Sequence, residues 1–360
     1  MTEAVTSADV VIVGGGIIGM ATAERLTARG LTVEMVDECA AAEGATSISG
    51  GLVRAFDPSG DHPAWAAEGL DLYRRRGWHG TWPELREHGS LTLFAAHELA
   101  RATTHVDVLQ AAGRTADILT PQQITTRFPG LSVPDGLHGA YEPQAGWLPA
   151  DQVRNAIRQD AGSALRVRRA RARSLLLSCK GIVGVDTSTG TVLAEAVLLA
   201  AGVGSAALAK AVGIHLPLRT RSVSYGLFRV EDHTDISQLP TVVDRTTGAW
   251  LRRWDERGTV LAGVFSPVTD VPETVTHGVP VHEEQRIRSA LRDRYPHLAK
   301  ASVVGGVTAY DAMAATGGGE VTQWQNPRGL VSATGWNGSG FKLAPAIGRF
   351  TASRIVEVLT

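Results

Sequence analysis

Residues 9–13 read Asp-Val-Val-Ile-Val, an almost wholly apolar run of the kind a strand shows when a parallel sheet buries both its faces. Glycines 14, 16 and 19 follow at once in the spacing G-x-G-x-x-G, and residues 17–29 have helix-forming composition with Gly30 as a natural stop. Residues 31–36 read as a second strand, closed by Asp37, 23 positions after Gly14. Strand, glycines, helix, strand and terminal acid in that order predict a βαβ unit that binds a dinucleotide. Gly14 permits the tight turn, Gly16 lets backbone approach a pyrophosphate, and Gly19 lets helix and strand pack closely. The helix start at Ile17 and Ile18 presents free N–H groups and a partial positive charge to that anion. Asp37 is placed to accept hydrogen bonds from a ribose. The motif alone does not separate FAD from NAD.

A chain of 360 residues exceeds one comfortable core, so two domains are expected. A formal net charge of −1 gives no electrostatic reason to expect nucleic acid or an anionic membrane as partner. No apolar run approaches the roughly 18–20 residues that span a bilayer, and residues 1–9 are short and polar, so a cytoplasmic protein is expected. Two cysteines, Cys39 and Cys179, are too few for a disulfide scaffold. None of the 11 histidines falls in a metal-ligand pattern, and no metal is expected. Of 35 basic residues only Lys180, Lys210, Lys300 and Lys342 are lysines, which makes each lysine worth weighing singly.

Four further segments stand in a fixed order after the first. Residues 44–54 are a Ser/Gly-rich loop, Gly-Ala-Thr-Ser-Ile-Ser-Gly-Gly-Leu-Val-Arg, and residues 146–153, Gly-Trp-Leu-Pro-Ala-Asp-Gln-Val, lead into a helix. Residues 196–202, Ala-Val-Leu-Leu-Ala-Ala-Gly, run as a buried strand into a glycine. Residues 335–348 read Gly-Trp-Asn-Gly-Ser-Gly-Phe-Lys-Leu-Ala-Pro-Ala-Ile-Gly, a Gly-rich loop feeding a helix, with Pro345 early in it where a missing N–H costs little. With the βαβ unit, these segments resemble the glycine oxidase and sarcosine oxidase branch of the D-amino acid oxidase-like flavoenzymes over essentially the whole length.

The resemblance implies FAD, held without a covalent bond, because Thr308 stands where sarcosine oxidases carry the cysteine that attaches it. It places the FAD contacts on Gly14, Gly16, Ile17, Ile18, Gly19, Asp37, Glu38, Thr46, Ser47, Ser49, Gly51, Leu52, Ala201, Gly202, Gly335, Asn337, Gly338, Gly340, Phe341 and Lys342. Lys342 falls where sarcosine oxidases bind the substrate carboxylate; the alternative is a surface lysine snorkelling on the first helical turn. Arg54 serves either substrate carboxylate or flavin, or else a structural ion pair. Arg252 and Arg253 alternate on one strand, which sends at most one of them into the site. Tyr225 and Trp250 read as pocket walls or as core. Two departures stand out: residues 312–319 replace the family's Thr-Pro-Asp turn, and around 261–264 no lysine replaces the one that sarcosine oxidases place near the flavin for oxygen activation.

Strand-like segments at 91–95, 137–141, 222–230, 249–253 and 259–265, with helical stretches at 97–113 and 281–295, complete the reading. The expected fold is α/β, a Rossmann-like FAD-binding domain with an inserted mixed or antiparallel-sheet substrate domain. The FAD-binding part covers 1–85, 146–218 and 300–360, and the substrate domain 86–145 and 219–299. The expected function is oxidation of a small amino acid or N-substituted glycine beside its nitrogen, in catabolism or as a biosynthetic tailoring step, with oxygen or another acceptor taking the electrons. The alternatives are a 2-hydroxy acid or quinone-linked amine dehydrogenase of the same fold, and a flavin-binding protein without turnover.

Overall fold

The computed structural model describes residues 4–38, 44–57, 62–77, 80–231, 235–315 and 317–360. The first apolar run is strand Val10–Val13, buried at every residue. It sits inside a six-stranded sheet ordered Glu320–Gln323, Leu330–Thr334, Ala196–Leu199, Val10–Val13, Val33–Asp37 and Leu165–Arg169. Every pairing is parallel except the antiparallel edge Glu320–Gln323. Helix Ile17–Thr27 joins the two strands of the βαβ unit. The C-terminal helix Gly340–Leu359 crosses it so closely that a Cβ on Gly348 would lie 2.6 Å from the Ala21 carbonyl oxygen.

A nine-stranded sheet forms the other large layer, ordered Thr276–His277, Ser302–Ala314, Leu218–Arg229, Thr259–Val264, Ala249–Arg253, Thr241–Asp244, Ser90–Ala95, Leu137–Glu142 and Asp117–Leu119. Only the Thr241–Asp244 and Ser90–Ala95 pair is parallel. Strand alternation divides the faces. Phe228, Leu251 and Val260 pack on Ile287 and Leu291 of helix Val281–Leu291, whereas Tyr225, Leu261, Val307 and Ala309 pack on Ile48 of the Ser/Gly loop. The second face therefore looks at the dinucleotide-binding part.

The expected α/β architecture is the observed one. Two placements differ from the sequence division. Strand Ser302–Ala314, grouped by sequence with the FAD-binding part, pairs along its length with Leu218–Arg229 in the nine-stranded sheet. Residues 4–7, read as polar lead, form a strand parallel to Gly190–Leu193, and with Gly181–Thr187 and Ala172–Ser178 they make a four-stranded sheet. That sheet is anchored by buried Glu34, whose carboxylate collects the Thr6 hydroxyl at 3.0 Å and Arg168 at 2.6 Å. Among the described residues no helix is long and apolar enough to cross a membrane.

Candidate active site

The two helix starts define the site. Gly16 caps helix Ile17–Thr27 and Ser339 caps helix Gly340–Leu359; neither gives a side-chain cap hydrogen bond, and neither helix has an acid in its first turn. Both starts line one cavity of about 850 Å³. The positive ends of two helix dipoles thus meet the same space, with no acid in either helix's own first turn to counter them. Gly14 holds φ +110°, and any Cβ there would strike the Ala200 carbonyl, so the first turn admits only glycine. The Thr46 Oγ1 accepts the Ile17 amide at 2.9 Å and ties the Ser/Gly loop to the helix start. Asp37 lines the cavity beside the first helix start, with the Gly15 amide donating to its carboxylate.

Of the cofactor contacts expected from sequence, all line this cavity except Gly19 and Ser47. Gly19 acts one layer behind, since a Cβ there would collide with the Gly14 carbonyl. Ser47 is spent on its own turn, donating to the Gly44 carbonyl at 2.6 Å. Glu38 lines the cavity and accepts Arg171 Nε at 2.8 Å. Arg154, Arg171 and Arg173 border the same space, which the motif gave no means of foreseeing because they come from helix Ala150–Ala161, from strand Ala172–Ser178 and from the residue just before that strand.

Arg54 and Lys342 meet in the wall. Lys342 is only 4% exposed and is ion-paired with Asp57, a carboxylate outside the cavity lining, so it does not snorkel on the surface. Burial and the neighbouring Arg54 charge pull its ammonium down to about 8, against the opposing pull of Asp57. Burial pushes the Asp57 carboxyl up, but Lys342 and Arg54 outweigh it and hold the group below the usual carboxylate range. Arg54 Nε is buried and finds no hydrogen-bond partner among the described residues.

Arg252 and Tyr225 are not brought to the cavity. Arg252 spans instead from the sheet to the Ser/Gly loop, giving Nε to the Gly50 carbonyl at 2.7 Å while its guanidinium lies 3.7 Å over the Trp147 ring. Burial pulls it down to about 9. Arg253 is buried too and donates to the Ser237 carbonyl at 2.9 Å, so neither member of the pair lines the cavity. Tyr225 packs edge-on to Trp250 with ring centroids 6.1 Å apart, and Trp250 is the member of that pair that lines the cavity. The indole lies flat across Gly263, where a Cβ would come within 2.5 Å of it. Thr308 is outside the lining, accepting from Ser224 Oγ at 3.2 Å.

Arg221, Tyr310 and Asp311 complete the substrate-sheet side of the cavity. Cross-strand register puts Arg221 opposite Asp311. Burial raises the Asp311 carboxyl, while Arg221 and the amides of Ala312 and Gly338 oppose the rise. Pairing could have found Arg221 only once the partner strand was known.

The family described as DAO, FAD dependent oxidoreductase, matches residues 9–354. The chain belongs to it. It is 27% identical over 368 residues to 4-methylaminobutanoate oxidase (formaldehyde-forming) of Paenarthrobacter nicotinovorans, covering 96% of this chain but 43% of that protein. It is 22% identical over 359 residues to monomeric sarcosine oxidase of a Bacillus species, covering 95% and 90% respectively. The crystal structure of glycine oxidase from Geobacillus kaustophilus superimposes with a TM-score of 0.82 at 22% identity, over 98% of this chain and 95% of that one. The sequence resemblance to the sarcosine and glycine oxidase branch therefore holds. The protein is an FAD-dependent oxidoreductase, and the residues present fit FAD. A glycine-only cradle and an uncapped helix suit the pyrophosphate, Asp37 suits the ribose, and the second uncapped helix suits an electron-rich ring edge.

Proposed function

We propose that this flavoenzyme oxidises a small amino acid or N-substituted glycine at the carbon next to nitrogen, giving an imine that hydrolyses. The observation that supports it is the cationic wall: Arg54, with a buried and unpartnered Nε, beside Lys342 at the start of the C-terminal helix. A buried guanidinium Nε without a hydrogen-bond partner is costly, and a carboxylate brought by the substrate offers it an acceptor. Bound FAD supplies the two-electron acceptor for the hydride released from the substrate carbon.

The chain's own residues do the rest. Arg54 and Lys342 hold the carboxylate and so orient the adjacent carbon. Ile48, Val223, Val243 and Trp250 give the cavity an apolar side that limits water. A wall carrying Arg54, Lys342 and Arg221 disfavours another cation nearby, which lowers the cost of losing the proton from the substrate amine. That deprotonation frees the lone pair that forms the C=N bond as hydride leaves. The N–H groups at the start of the C-terminal helix counter negative charge on an electron-rich ring edge. For an N-substituted glycine oxidised at the glycine carbon, hydrolysis gives glyoxylate and the free amine. Oxygen or another acceptor then takes the electrons.

The test is anaerobic bleaching of the flavin absorbance by glycine, sarcosine, D-amino acids and N-carboxymethyl amines, with 2-hydroxy acids as the comparison set. Bleaching by an amine carboxylate supports the reading. Bleaching by the hydroxy acids alone, or by none of the panel, removes it.

A further inference from the structure

Behind the cationic wall lies a second layer that the chemistry above does not use. Glu142, fully buried in strand Leu137–Glu142, accepts the Ala55 and Phe56 amides at 2.9 Å each. His105, from helix Leu99–Ala111, accepts the Asp57 amide on Nε2 at 3.3 Å, and its ring also bonds the Ala55 backbone. The Phe56 ring packs edge-on against His105, with centroids 5.3 Å apart. Three consecutive backbone positions are thus gripped from two separate elements. The residue presented by this grip is Asp57, and its carboxylate meets the Lys342 ammonium.

We infer that Asp57, held by Glu142 and His105, is a positioning residue that keeps Lys342 a cation in the cavity wall. The inference rests on the proposal that Lys342 and Arg54 receive the substrate carboxylate. Without a carboxylate behind it, a buried lysine beside an arginine gives up its proton, and a neutral amine is a poor anchor for an anion. Asp57 lies outside the cavity lining, so it supports Lys342 without occupying the place of the substrate.

The charged and titratable groups around Lys342 come from every element packed on it. Arg54 opposes its charge, while Asp57 and Glu142 favour it. Arg245 lies beyond Asp57, Arg114 beyond Glu142, and His105 beside the Asp57 backbone. From helix Pro63–Gly77, Tyr73 donates to the Phe341 carbonyl at 2.8 Å, and burial keeps its phenol from ionising in the ordinary range. Lys342 loses its proton at about 8, while burial pulls the His105 imidazole below its ordinary value. Since the protonated form attracts an anion, carboxylate affinity should be full below that pH and fall as pH rises through it.

The experiment titrates propionate, a carboxylate without an amine, into the FAD-loaded enzyme and reads the flavin absorbance across about pH 6 to 10, a window around the Lys342 transition. Wild type should lose affinity through about pH 8. In Asp57→Asn the fall should move to lower pH by roughly one to three units, the scale for removing an opposite charge from a neighbour. Asp57→Glu should return it towards wild type. Asp57→Ser provides a second neutral variant should the asparagine form not retain FAD. A neutral variant that changes affinity by the same factor at every pH, with the fall unmoved, overturns the inference and reduces Asp57 to a packing role. Lys342→Met separates the two layers of the argument. Weakened propionate binding in that variant leaves the carboxylate site standing whatever Asp57 does, whereas wild-type binding removes the site and the inference with it.

Discussion

Asp37 ends its strand with the carboxylate turned back onto the Gly15 amide, so the acid that suits a ribose also stiffens the glycine turn beside it. Asp37→Ala should therefore weaken FAD binding by roughly 1.5–3 kcal/mol, the scale for a hydrogen bond to a charged group. Equilibrium titration of apoprotein with FAD measures this directly, and an unchanged dissociation constant would mean that Asp37 does not reach the cofactor. Thr308 makes a different single-residue prediction. It carries no thiol and is turned onto Ser224, so acid precipitation should leave all of the flavin in the supernatant. Yellow colour retained in the pellet would contradict it. At this scale the sequence reveals residues whose chemistry is tied to a local spacing, such as Gly14, Gly16 and Asp37. It says much less about Arg221, Asp57 and Glu142, because each acquires its partner from a strand or helix distant in the chain.

The C-terminal helix shows how one element is made compatible with the site it opens onto. Pro345 has no N–H to give to the Phe341 carbonyl four residues earlier, and the Tyr73 hydroxyl takes that role from helix Pro63–Gly77. One turn along the same helix, Gly69 lets the Lys342 carbonyl approach so closely that any Cβ would collide with it. Tyr73→Phe leaves a buried carbonyl unsatisfied and should cost about 1–3 kcal/mol in urea unfolding, with FAD still bound. Gly69→Ala acts on backbone rather than on one hydrogen bond, and it should displace the helix start that carries Phe341 and Lys342. Its expected signature is a lowered FAD content on purification, together with a stability loss larger than that of Tyr73→Phe. Equal FAD content in the two variants would show that the helix start adapts. Pro345 is evident in the sequence as an early-helix proline, but the tyrosine that compensates for it is not. Nothing in the spacing of residues 63–77 distinguishes a helix packed on the cofactor side from one packed elsewhere.

Across the whole molecule, the regions best read from sequence are those where a ligand dictates backbone geometry. The βαβ unit, the Ser/Gly loop and the final glycine loop all carry glycines at positions that tolerate nothing larger. The nine-stranded sheet was recognisable as strands but not as an order, since strand Ser302–Ala314 and strand Leu218–Arg229 find each other only on folding. The four-stranded sheet was invisible because strand Ala4–Ser7 depends on a partner late in the chain, Gly190–Leu193. The same long-range assembly makes a prediction about stability. Residues from Gly14 to Lys342 converge on one cavity, and two helix starts with no acid in their own first turns point into it, so an anionic ligand there engages elements distant in the chain at once. A ligand that binds only the folded chain stabilises it by mass action, about 2.7 kcal/mol at a free concentration 100 times the dissociation constant. The melting temperature of deflavinated protein should therefore climb continuously as FAD is added, and keep climbing with the logarithm of FAD concentration beyond saturation. AMP, which retains the ribose and one phosphate, should give a smaller rise, because it cannot reach the Gly335–Lys342 end of the cavity. A melting temperature indifferent to FAD would mean that the cavity assembles without reference to its occupant.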